Sequence, residues 1–62
     1  MCLSMVYDKE PAPERLLMKN VQSIRIENGC VTLTDIMERT RSIAGSLVSA
    51  DLVNGVVILN AE

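Results

Sequence analysis

An all-β chain, closed into a small antiparallel barrel of the SH3-like kind from five to six short strands, is what this sequence predicts. Three observations lead there. Two Asn-Gly pairs, Asn28-Gly29 and Asn54-Gly55, each sit between runs rich in β-branched residues, and Asn-Gly tolerates the positive φ that a tight hairpin turn needs at both central positions. An isolated Gly45 interrupts the extended stretch from Ser42 to Val53, as a bulge or a barrel corner does. The one run of good helix formers, Leu16, Leu17 and Met18, is too short for a stable helix before the Val21 segment takes over.

Taken in order, Met1 to Tyr7 alternates Leu3, Met5 and Tyr7 with Cys2, Ser4 and Val6 and reads as a strand. Asp8 to Glu14 is charged and carries Pro11 and Pro13, which cannot donate to a ladder, so it reads as a surface loop. Arg15 to Lys19 is expected to be a strand pairing back on Leu3 to Tyr7. Val21 to Glu27 and Cys30 to Thr34 then form the first hairpin, with Glu27 opposite Cys30, Ile26 opposite Val31, Arg25 opposite Thr32 and Ile24 opposite Leu33. This register puts Ile24, Ile26, Val31 and Leu33 on one face, which is to be buried.

Asp35 to Arg41 is polar apart from Ile36 and Met37 and suits a turn or wide loop. The second hairpin is expected to pair Val53 with Val56, Leu52 with Val57, Asp51 with Ile58 and Ala50 with Leu59. Both of its faces are then apolar, and a second greasy face is more naturally covered by another subunit.

One domain spanning residues 1–62 accommodates all of this, near the lower limit of what folds unaided. Hydrophobic residues make up 48%, yet Trp and Phe are missing and Tyr7 is the only aromatic, so the core has to be built from Val, Ile, Leu and Met. Six basic residues against eight acidic ones give a formal charge of -2, which weighs against a surface that tracks phosphates. The N-terminus has no basic stretch followed by a long apolar one, and no run is long enough to cross a bilayer, so a cytoplasmic location and no membrane association are expected. In that reducing compartment Cys2 and Cys30 are expected as thiols rather than as a disulfide.

Most catalytic chemistry lacks its residues. Without His there is no imidazole base, no Ser-His or Cys-His nucleophile and no mixed Cys/His zinc site. Gly29, Gly45 and Gly55 are too scattered to cradle a phosphate. The carboxylates read as solvated surface groups, with Asp51 set apart because it lies in an apolar run and would need hydrogen bonds from a turn or a partner chain. The chain is therefore not expected to be an enzyme.

Cys2 carries two readings. As an ordinary strand residue it is a small hydrophobe. If Met1 is removed, its thiolate and its amine can close a five-membered chelate on a soft or borderline ion such as Ni(II) or Cu(II). Cys30, beside the first turn, reads as an ordinary strand residue, and the scattered Met1, Met5, Met18 and Met37 as core filler.

Met1-Cys2, Val6-Tyr7, the run VxSIxIExxxVxLTDI from Val21 to Ile36, Ile43-x-Gly45 and Asp51-Leu52-Val53-Asn54 together resemble the CooT family of very small prokaryotic proteins over nearly the whole chain. That resemblance implies a homodimeric small β-barrel that binds Ni(II) through the cysteine after the initiator methionine. It also implies a nickel metallochaperone role in maturation of carbon monoxide dehydrogenase or a related nickel enzyme. By position the metal ligand falls on Cys2, which turns the choice toward the metal reading; the family pattern gives Cys30 no role. The same family has been read as RNA-binding from its fold type. An RNA-binding barrel using Arg15, Lys19, Arg25, Arg39 and Arg41 is thus the alternative, disfavoured by the negative charge and the lack of stacking aromatics. A third reading is an interaction domain whose edge strands pair with another protein.

Overall fold

Residues 3–62 are described by the structure, a computed structural model. Five strands form: β1 (Ser4–Asp8), β2 (Leu16–Glu27), β3 (Cys30–Asp35), β4 (Thr40–Asp51) and β5 (Val56–Ala61), with a single 3-10 turn, Pro13–Arg15, before β2. Each chain reversal contains a residue at positive φ: Lys9 after β1, Asn28 and Gly29 after β2, Glu38 after β3 and Gly55 after β4. Two further such residues, Asn20 and Gly45, lie inside β2 and β4. They mark the corners of the barrel.

The strands close in the order β1-β2-β3-β4-β5 and back to β1. All neighbours in sequence pair antiparallel. An up-and-down ring with an odd number of strands must close on one parallel pair, and here that seam joins Met5–Asp8 to Val56–Leu59. The all-β barrel expected from the sequence is therefore present, with one parallel seam in an otherwise antiparallel ring.

Two of the strands are not short. β2 and β4 each run for 12 residues, and each serves both halves of the barrel by bending. Val21 is the pivot of β2, pairing with Ser4 on one side and Asp35 on the other, beside a register shift before Ser23. The segments from Arg15 to Lys19 and from Val21 to Glu27, expected as two strands, are thus one continuous strand from Leu16, and the first of them does pair with β1 as expected. In β4 the pivot is Gly45: Ala44 pairs with Cys30 of β3, and Gly45 with Ala61 of β5. A Cβ at Gly45 would collide with the Asn60 carbonyl and crowd the Ala61 Cα, so the corner admits glycine for lack of space as well as for its φ of 147°.

The first hairpin has the expected register at all four pairs. Its inward face is buried only where the barrel covers it. Val31 and Leu33 are wholly buried and Ile24 packs against the core, but Ile26 lies near the tip and is 53% exposed.

The second hairpin differs from expectation by two residues: Asp51 pairs with Val56, Ala50 with Val57 and Ser49 with Ile58, and a slip at Val48 brings Leu47 opposite Leu59. The turn therefore holds four residues, Leu52 to Gly55, instead of two. Asp51 is the cause. Its carboxylate accepts hydrogen bonds from the backbone N–H groups of Val53 (3.2 Å) and Asn54 (3.1 Å) and from the Asn54 side chain (2.8 Å), an Asx-type cap that favours the wider reversal. Asp51 is exposed and finds its partners in the turn.

Every strand contributes to the core: Val6, Val21, Val31, Leu33, Ile43, Val57 and Leu59. Ile58 points away from this cluster but is buried by its own chain. The large apolar residues left at the surface are instead Leu47, Val48, Leu52 and Val53 on β4 and its turn, with Met5, Leu16, Ile26, Ile36 and Met37 elsewhere. Met5 and Met37 are thus surface residues, not core filler.

Candidate functional site

The candidate ligand Cys2, with Met1, lies outside the described residues. What is defined is the ground from which that segment departs. β1 begins at Ser4, a polar residue only 8% exposed that pairs with Val21 at the pivot of β2. The Met5 N–H donates to the Gly55 carbonyl at 2.8 Å. The Leu3 carbonyl lies so close over Gly55 that a Cβ placed there would be 2.8 Å from it. The start of β1 is thus laid directly on the β4–β5 turn.

Beside this junction opens a cleft of about 260 Å³, lined by Ser4, Val57, Leu52 and the stretch from Val21 to Ile24. The polar residues in its lining are Ser4, Gln22 and Ser23, and among the described residues no cysteine or carboxylate lines it. Among the described residues no group of three or more Cys, Asp or Glu side chains is placed to hold a metal. Cys30 is a free, half-buried thiol, paired across strands with Glu27 and Ala44. It stands on the first hairpin, and the cleft is not lined by it.

The other charged groups hold the barrel together. Asp35, expected as a solvated carboxylate, is 3% exposed. Its Oδ1 accepts the N–H groups of Met37 and Arg39, both at 2.9 Å, and its Oδ2 accepts the Arg39 Nε–H at 2.8 Å. Burial pushes the Asp35 pKa up, but the Arg39 backbone and side-chain bonds and the Met37 N–H outweigh it, and the carboxyl titrates below its ordinary 3.8. No spacing in the sequence marks it, because every residue but Pro carries such N–H groups and only the folded turn aims three donors at this one carboxylate.

Asp8 plays a similar part at the parallel seam. It accepts the Ala61 N–H at 3.0 Å and faces the Lys9 ammonium at 3.2 Å, while Lys9 also donates to the Ala61 carbonyl. The Ala61 bond foremost, with Lys9 assisting, lowers the Asp8 pKa. Asp51 is lowered by the Asn54 side-chain bond first and its backbone N–H second.

Of the five cations set out as a phosphate surface, three are already engaged. Arg39 is paired with Asp35, Arg41 donates to the Leu17 carbonyl at 2.9 Å, and Arg25 lies 3.8 Å from Glu27. The Arg25 and Arg39 side chains stay mostly exposed, but each has a carboxylate beside it, so the positive potential a nucleic acid would meet there is partly offset. Among the described residues no helix is long and apolar enough to cross a membrane.

Compared with known proteins, residues 1–60 match a family described as "CO dehydrogenase accessory protein CooT". No curated protein matches the chain.

Proposed function

The chain belongs to the CooT family of CO dehydrogenase accessory proteins, and from that premise we propose that it carries Ni(II) as cargo for maturation of CO dehydrogenase or a related nickel enzyme. The reading places it in the cytoplasm as a homodimer, with Cys2 as the ligand. It is an accessory protein, not the enzyme. The observation that carries the reading is the family match over residues 1–60, in a chain that has no His and whose two cysteines are Cys2 and Cys30.

The chemistry follows from the donor set. Thiolate and amine or peptide nitrogen suit Ni(II), and binding releases their protons. One such thiolate is too few to hold the ion firmly, and the described part of a single chain adds no cluster of further ligands. Two copies related by a two-fold axis bring two Cys2 thiolates to one ion. The uncovered Leu47, Val48, Leu52 and Val53 support a second copy, because a monomer this small gains from burying them.

Titrating Ni(II) into wild type, Cys2→Ser and Cys30→Ser while following the thiolate-to-metal absorption tests the reading. Wild type and Cys30→Ser are expected to titrate alike and Cys2→Ser to lose the band. An unchanged titration in Cys2→Ser would sink it.

A further inference from the structure

Between the last two strands and the first lies a mechanical link that the hairpin alone does not require. Asp51 gathers three hydrogen bonds from Val53 and Asn54 and so fixes the turn from Leu52 to Gly55. Gly55, at φ +69°, presents its carbonyl to the Met5 N–H and its bare Cα to the Leu3 carbonyl. A turn held this firmly, on which the backbone of residues 3 to 5 rests, fixes the position of Leu3, the residue that follows Cys2. We propose that the Asp51–Gly55 turn is the seat of the metal-binding N-terminus, with Asp51 and Gly55 acting as positioning residues for the Cys2 ligand.

This rests on the nickel reading above. Its physical content is that a ligand binds best when its approach is set in advance, and losing a residue that orients a metal ligand costs about tenfold to a hundredfold in affinity. Gly55 is suited to the task for two reasons. Its φ is one that L side chains rarely adopt, and its missing Cβ leaves room for the Leu3 carbonyl.

Gly29 supplies a matched control. It has nearly the same φ, +74°, in the other Asn-Gly turn, but a Cβ there meets nothing within 4 Å. Gly29→Ala and Gly55→Ala therefore carry the same backbone strain, and only the second pushes on the N-terminal segment. Nickel affinity and the charge-transfer spectrum are measured for both, alongside thermal stability. Gly55→Ala is expected to weaken nickel binding by roughly tenfold to a hundredfold and to alter the band, while Gly29→Ala loses stability but keeps the wild-type affinity and spectrum.

Equal affinity and equal spectra in the two variants would overturn the proposal. Should Gly55→Ala fail to fold, Asp51→Asn loosens the turn without adding an atom to the contact. It is expected to bind nickel more weakly than its own loss of melting temperature, set against that of Gly29→Ala, accounts for, and wild-type affinity in that variant overturns the proposal as well. Cys2→Ser separates the two claims: nickel binding lost there but intact in Gly55→Ala refutes the seat alone, whereas binding intact in Cys2→Ser refutes the ligand and the seat together.

Discussion

Leu33 and Ile26 share one face of the first hairpin, yet truncating them should have very different consequences. Leu33 is fully buried and belongs to the cluster to which all five strands contribute, so Leu33→Ala should cost about 3–5 kcal/mol from lost transfer and a residual cavity. Ile26 keeps about half its surface in water. Full burial of such a side chain is worth about 1.5–3 kcal/mol, so Ile26→Ala should cost about 1 kcal/mol. A domain of 62 residues has only about 3–9 kcal/mol in all, so the first change leaves the fold near its limit and the second is tolerated.

Urea unfolding followed by circular dichroism, at one fixed protein concentration, measures both. With a slope of about 1 kcal/mol per molar urea, the midpoint should fall by about 3–5 M for Leu33→Ala and by about 1 M for Ile26→Ala. Similar midpoints would refute the reasoning, because they would mean that Ile26 is covered after all or that Leu33 is not at the centre.

Other consequences are as direct. Gly45→Ala should destabilise more than Gly29→Ala in the same urea assay, since its Cβ has to displace the Asn60 backbone while Gly29 has open space. Asp8, Asp35 and Asp51 all titrate below their ordinary 3.8 in the fold. Their contribution is therefore present above that value and is lost as the pH falls through the lowered folded values. An acid-unfolding curve should show the loss setting in below about pH 4, with a shallower slope for Asp35→Asn; an unchanged slope would remove Asp35 from the account. Nickel affinity should rise with pH because binding releases ligand protons, as followed by calorimetry across a pH series; a flat profile would remove the thiolate from the account.

The two Asn-Gly pairs show what was legible in the sequence and what was not. At Asn28-Gly29 the flanking residues alternate cleanly and nothing nearby competes, so the pair forms the two-residue turn and dictates the register. At Asn54-Gly55 the same dipeptide occupies the second half of a wider turn, because Asp51 caps the N–H groups that follow it. A side-chain cap outweighed the dipeptide's own preference. Gly45 announced its corner because glycine in a strand has few other uses, whereas Asn20 gave no sign, since asparagine reaches positive φ without advertising it.

Asp35 was hidden for a similar reason: its burial depends on three donors assembled by the turn it closes. The contact of Gly55 with Leu3 joins opposite ends of the chain through the parallel seam, and no local pattern encodes it. Cys2 came forward through the family resemblance, because one cysteine by itself states no chemistry.

Native mass spectrometry of the protein as it comes from the cell, with and without added Ni(II), bears on all of this at once. It should return a pair of chains holding one nickel, and the ion should vanish when serine replaces the second residue while the pair persists. Lone chains, or metal retained by the serine form, would contradict the account at its root.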